Sequence, residues 1–258
     1  MRIDLNSDLG ESFGPWQMGD DAAVLDIVTS ANVACGGHAG DPATMVETLK
    51  LARERGVVVG AHPGFADREG FGRRVIPLNE SEIEQLVATQ IGALMGAAAL
   101  AGAAIRYVKP HGALHNWAAD ERPVADAIVR AIKAVSPDLA LLATSGTELE
   151  HAGRDIGLAT FSEIFADRGY LGTGRLVPRS RAGAMIHDPA AATARLVEFL
   201  STGLMPTIEG TAIPLAAQSI CVHGDSPGAV AMARNVRAGR EAAGVTVAPF
   251  LPAAGDRG

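Results

Sequence analysis

Four of the seven histidines in this 258-residue chain come directly after strand-like runs. His38 follows "SANVACGG", His62 ends "VVVGAH", His111 follows "IRYVKP" and His223 follows "SICV". Imidazole titrates near neutral pH and ligates divalent metals through a neutral ring nitrogen, so histidines gathered at strand ends suit proton transfer or metal binding. For any one of them the plain alternative is a loop histidine satisfied by a backbone carbonyl, but four equivalent placements favour a shared site. His115 lies four residues beyond His111 and shares its face if a helix starts there.

The first strand adds carboxylates. In "DLNSDLGE", Asp4, Asn6 and Asp8 alternate along an otherwise apolar run, with Glu11 just beyond. Alternate strand residues face one way, so at least two of the three point together. Asp8 beside glycine also reads as a turn residue, whereas a buried Asp4 needs a partner. Asp8, His38 and His62 form one candidate divalent-metal set, although no compact motif such as H-E-x-x-H supports it. Without a metal, the same groups serve as general acid and base.

Positive charge is placed selectively. Only three of the 22 basic residues are lysines, at 50, 109 and 133, and Lys109 ends an apolar strand just before Pro110 and His111. An ammonium there needs an anion or a route to solvent. Arg168, Arg175, Arg179 and Arg181 lie with Asp167 and Tyr170 in the glycine-rich stretch 166–183, and Arg68, Arg73 and Arg74 follow His62. Guanidinium forks suit carboxylates and phosphates; pairing with Asp67, Glu69 and Asp167 across the surface is the equal alternative. No P-loop and no G-x-S-x-G is present.

The elements that must hold these residues repeat one plan: an apolar β-branched run, a glycine-containing turn, then a capped helix. Strands are expected at 2–6, 30–34, 139–144, 159–165 and 245–250, and at the starts of the segments 57–65, 105–116 and 219–239. Helices are expected at 42–55, 79–101, 121–135 and 188–202, and from Ser226-Pro227. Alternating strands and helices imply parallel pairing, and seven or eight units suit a closed (β/α) barrel, whose catalytic residues sit at the C-terminal strand ends. The stretch 166–183 is too long for an ordinary connection.

Composition narrows the function. A chain 48% hydrophobic is long enough for one core, so 1–258 is expected to be a single domain. A net charge of −7 argues against nucleic-acid binding, the glycine-broken run 91–104 against a membrane span, and the N-terminal strand against a secretory signal. A cytoplasmic protein with Cys35 and Cys221 as buried reduced thiols is expected.

"IDLNSDLGE" (3–11), "SANVACGGHAGD" (30–41), "GAHPGFADREGFGRR" (60–74), "VKPHGALHN" (108–116), "EIFADRGYLGTGRLVPRSRAGAMI" (163–186) and "AAQSICVHGDSPGAV" (216–230) resemble the LamB/YcsF family, in order over nearly the whole chain. The resemblance implies an α/β fold, a distorted TIM-like (β/α) barrel of about seven strands similar to glycoside hydrolase and deacetylase barrels. It also implies the A subunit of an ATP-dependent 5-oxoprolinase. With B and C subunits such an enzyme opens the lactam of 5-oxo-L-proline to L-glutamate, with ATP as cosubstrate. Asp8, His38, His62, Lys109 and His111 are the catalytic candidates carried over. Asp4, Asn6, Glu11, Asp41, Asp167, Arg168, Tyr170, Arg179, Gln218, His223 and Asp225 are the binding candidates. His115 stands where the resemblance calls for tyrosine. Two other functions fit the residues: a metal-dependent carbohydrate de-N-acetylase, and a non-catalytic binding or regulatory subunit.

Overall fold

The computed structural model describes residues 2–222, 228–242 and 244–252. The candidates His223 and Asp225 and the expected helix start at Ser226-Pro227 lie outside the described residues.

Seven parallel strands close into a barrel: β1 (Arg2–Leu9), β2 (Ser30–Ala34), β3 (Val58–His62), β4 (Ile105–Val108), β5 (Ala140–Thr144) and β6 (Thr160–Phe165), then, after the antiparallel hairpin β7 (Leu204–Pro206) and β8 (Ala212–Pro214), β9 (Ser219–Cys221). Because β9 pairs with both β6 and β1, the ring is complete. A further strand, β10 (Thr246–Val247), joins the outer start of β1 at Arg2 and Ile3. The sequence suggested a strand through residue 250. Instead, the chain beyond Val247 turns under the barrel, where the Arg2 guanidinium donates to the Pro249 carbonyl at 2.7 Å.

The strands form where apolar residues alternate with small or polar ones. In β1, Ile3, Leu5 and Leu9 join the apolar layer between barrel and helices, with Ala31 and Val33 of β2, Val59 and Ala61 of β3 and Leu141 of β5. The intervening residues Asp4, Asn6 and Asp8 turn into the lumen, as a period of two requires. The bottom of the lumen is a separate apolar plug of Val58, Tyr107, Ala140 and Leu142, against which Phe161, Phe250 and Leu251 pack. Above that plug the lumen is polar.

The helices are α1 (Asp21–Leu25), α2 (Pro42–Glu54), α3 (Glu80–Ala101), α4 (Gly112–Asp120), α5 (Arg122–Val135), α6 (Glu148–Asp155), α7 (Pro189–Thr202) and α8 (Ala229–Ala242). Their starts carry the expected signals. Asp41 accepts from the Ala43 and Thr44 N–H groups ahead of α2, and Asn79 and Glu82 form a capping box at α3. With 22 residues α3 is long and apolar enough by itself to cross a bilayer, yet it buries Ile83, Val87, Ile91 and Leu94 and packs on α2 and α5.

Two glycines give opposite predictions. A methyl group at Gly60 of β3 would run into the fully buried Tyr107 ring, whereas one at Gly92 of α3 meets nothing within 4 Å. Gly60→Ala is expected to lower the unfolding free energy by about 1–3 kcal/mol. Gly92→Ala is expected to raise it by about 0.5–1 kcal/mol. Denaturant unfolding of the two variants beside wild type measures both.

Candidate active site

A column of hydrogen-bonded polar groups fills the upper lumen. At its foot the buried Asp4 carboxylate accepts from three hydroxyls: Thr29 at 2.6 Å, Ser30 at 2.7 Å, and Ser219. Burial pushes its pKa up to about 6, against the partial opposition of those hydroxyls. One layer higher, the Asn6 amide donates to Ser219 Oγ at 2.6 Å and Glu163 Oε2 at 3.3 Å, while Asn32 donates to Asn6 Oδ1 at 2.7 Å and Asp8 Oδ1 at 2.8 Å. The Tyr107 hydroxyl closes this layer on Asn32 Oδ1 at 2.6 Å.

Lys109 sits above, with its Nζ 3.0 Å from Asp8 Oδ1, 3.1 Å from Glu163 Oε2, 3.3 Å from Asn6 Oδ1 and 3.1 Å from Cys221 Sγ. Burial works against its charge, but Asp8, Cys221 and Glu163 together outweigh it and hold the ammonium well above the usual lysine range. Glu163, Asn32, Tyr107 and Cys221 were not among the residues singled out from the sequence as site candidates. The available signal was a glutamate in the middle of the apolar strand "TFSEIF", and Asn32 two places from Ser30 on one face of β2.

Three histidines crown the column. His62 Nδ1 meets the Lys109 carbonyl at 2.6 Å, and its Nε2 faces Asp8 Oδ2 at 3.4 Å and His111 Nδ1 at 3.0 Å. His111 Nε2 meets the Phe71 carbonyl at 2.8 Å. His38 Nε2 lies 3.0 Å from Glu11 Oε1, and its ring stacks parallel on His111 with centroids 3.6 Å apart. Burial, then the neighbouring histidines, hold His38 and His111 well below the usual histidine range, so both are neutral at pH 7. Phe71, whose carbonyl fixes the His111 tautomer, is the one non-glycine residue with positive φ (54°) among the described residues. A bulky residue held there costs on the order of 1–3 kcal/mol, and such strain concentrates where geometry serves function.

Above this crown a cavity of about 560 Å³ opens at the C-terminal strand ends. Asp8, Glu11, His62, Lys109 and His111 line it at the barrel, with Arg73, His115, Phe165, Arg168, Arg175 and Arg179 further out. His115 bonds Thr144 Oγ1 at 2.7 Å, and burial pulls its pKa down to about 3. It is therefore a neutral wall residue.

A family model described as "LamB/YcsF family" matches residues 3–255. The chain belongs to the LamB/YcsF family. It is 53% identical over 250 residues to the 5-oxoprolinase A subunit of Azorhizobium caulinodans, covering 97% of this chain and 99% of that one. To the 5-oxoprolinase A subunit of Gluconobacter oxydans it is 54% identical over 245 residues, 95% and 96% of the two chains. The crystal structure of the lactam utilization protein from Thermus thermophilus superposes with a TM-score of 0.91 at 42% identity, over 97% of this chain and all of that one.

Set on this LamB/YcsF barrel, the residues singled out from the sequence divide into three groups. Asp8, Glu11, His62, Lys109, His111, Arg168 and Arg179 reach the cavity, and His38 lies directly behind it. Asp4 and Asn6 form the column beneath. The rest serve the frame. Asp41 caps α2 and accepts from Gly14 N–H at 2.7 Å, and these backbone bonds hold its pKa low. The fully buried Tyr170 hydroxyl accepts from Phe165 N–H at 2.9 Å. Gln218, just before β9, accepts from Ser162 N–H at 2.7 Å, and the buried Asp167 does not line the cavity.

The arginines divide as well. Arg168 donates to the Ala184 and Val177 carbonyls, pinning the loop after β6, while Arg74 pairs with Asp67, and Arg68 covers the Phe13 ring with 3.9 Å between its Cζ and the centroid. The metal-type cluster also differs from the Asp8, His38 and His62 set: the ligand atoms within 4.8 Å of one another belong to Glu11, His38, His62 and His111. Cys35 and Cys221 are free and buried, and burial pushes the Cys35 thiol up to about 12.

Removing the ammonium strands two buried carboxylates, so Lys109→Met is expected to cost about 3–5 kcal/mol in denaturant unfolding, with Glu163→Gln recovering part of the loss in the double variant. Asp4 gives a pH signature. Its folded pKa near 6 exceeds the ordinary 3.8, so the folded state carries the extra proton between those values and loses stability as pH rises through them. Between about pH 4 and pH 7 wild type should lose on the order of 3 kcal/mol relative to Asp4→Asn. Parallel slopes for the two proteins would refute this.

Proposed function

We propose that this chain is the A subunit of an ATP-dependent 5-oxoprolinase, acting in the cytoplasm with B and C subunits to open the lactam of 5-oxo-L-proline to L-glutamate. The observation that carries the reading is the cavity itself, with carboxylates and imidazoles at the barrel mouth and guanidinium groups at the rim, combined with 5-oxoprolinase relatives above 50% identity along the chain's length. A five-membered lactam resists water and recloses after opening, so its hydrolysis gains from coupling to ATP. The lactam oxygen takes the terminal phosphoryl group and ADP leaves. Water adds to the activated carbon, the C–N bond breaks to free the amine, and a second water releases phosphate.

Each demand of that sequence has a residue suited to it. Asp8, with Oδ1 held by Lys109 and Asn32 and Oδ2 turned toward the cavity side at His62, takes the proton of the attacking water. Lys109 holds that carboxylate in place. Arg73 and Arg179 bind the anionic groups of substrate and phosphate. His38, out of the cavity, positions Glu11.

The deciding experiment combines the protein with candidate B and C subunits and follows glutamate from 5-oxo-L-proline with and without ATP. ATP-dependent glutamate formation that requires all three subunits is expected, and Asp8→Asn should lower kcat by about 10²–10⁴-fold with the complex intact. ATP-independent deacetylation of N-acetyl sugars by this chain alone would overturn the reaction assignment. Unchanged turnover of Asp8→Asn would reduce the chain to a binding or regulatory subunit.

A further inference from the structure

The His62 and His111 rings meet nitrogen to nitrogen, each held from behind by a backbone carbonyl. His62 Nδ1 faces the Lys109 carbonyl at 2.6 Å and His111 Nε2 faces the Phe71 carbonyl at 2.8 Å. A carbonyl only accepts, so each of those nitrogens carries its ring's hydrogen. The two remaining nitrogens, His62 Nε2 and His111 Nδ1, face each other across 3.0 Å, with Asp8 Oδ2 3.4 Å from the first. Glu11 Oε1 adds a further acceptor 3.7 Å from His111 Nδ1. Something positive belongs in that gap.

We propose that Glu11, His62 and His111 form a binding site for one divalent transition-metal ion of the zinc and cobalt class, with His38 as a positioning residue outside the ligand set. The geometry suits it. The rings cross at 87°, and a nitrogen separation of 3.0 Å is the span of two ligands that each stand about 2.0–2.1 Å from a shared metal. Ligating histidines characteristically donate their other N–H to a carbonyl or carboxylate, and both rings do so. All three residues line the cavity, which leaves further coordination positions facing substrate.

His38 belongs to the same cluster by distance, but its ring lies parallel to His111 at 3.6 Å. A metal in the plane of one ring is out of the plane of the other, where that ring has no lone pair. His38 Nε2 instead donates to Glu11 Oε1 at 3.0 Å and aims the carboxylate. Its own Nδ1 is buried without a partner, a cost consistent with a ring held for its position. When bound, the ion would polarise an amide oxygen entering the cavity. The inference rests on ring geometry and not on the lactam reading, so each can fail without the other.

The test is the metal content of the purified full-length protein, followed by chelation and titration with Co²⁺ read by its visible d–d absorption. One equivalent of metal is expected, with a Co²⁺ spectrum that His62→Ala and His111→Ala abolish while circular dichroism shows them folded. His38→Asn should keep the spectrum and weaken Co²⁺ binding by about 10–100-fold. Wild-type protein that is folded yet takes up neither Zn²⁺ nor Co²⁺ stoichiometrically overturns the site and assigns the gap to a shared proton. Loss of the spectrum in His38→Asn as complete as in His62→Ala overturns the ligand assignment.

Discussion

The Lys109 ammonium, buried inside a closed barrel, is the constraint on which the rest of the site depends. An ion so far from water is stable only when the strands around it present acceptors at the right height. Asp8 and Asn6 come from β1, Glu163 from β6 and Cys221 from β9, the three strands whose pairing closes the ring. Barrel closure and the assembly of this charge cluster are therefore one event. A slip of one residue in β1 would turn Asp4, Asn6 and Asp8 outward and leave the ammonium without its β1 partners.

The lumen divides the work between stability and chemistry. Barrels of this class ordinarily fill the interior with branched apolar side chains. Here apolar filling is confined to the bottom, where Tyr107, Leu142 and Phe250 pack, and the polar column stands above, its second layer closed by the Tyr107 hydroxyl. The apolar layer between strands and helices supplies the main core, which leaves the upper lumen for groups that would destabilise an ordinary interior. Their mutual hydrogen bonds offset that cost.

The loops fix the crown that the strands begin. Residues 63–79 carry Phe71 in its left-handed conformation, and its carbonyl sets which His111 nitrogen is left to act. The stretch after β6 is folded, not loose: Arg195 donates to the carbonyls of Phe165, Ala166 and Arg168, and Tyr170 lies fully buried beneath it. Its arginines thus include both frame and rim, a division set by which carbonyls and rings stand nearby.

The sequence by itself determined the alternation of strands and helices, the bounds of α2, α3, α5 and α7 to within a residue or so, and the gathering of His38, His62 and His111 at one rim. Those follow from periodicity, capping residues and the rule that parallel strands end on one face, all local properties. It also marked Lys109 as needing a partner. Only the tertiary structure decided who that partner is, because Asp8, Glu163 and Cys221 approach one another through ring closure across more than 200 residues of chain. It alone separated Tyr170 and Gln218, which hold the frame, from Asp8 and His62, which face the cavity. The physical reason is that a polar side chain's role depends on which donors and acceptors surround it, and long-range packing sets those surroundings.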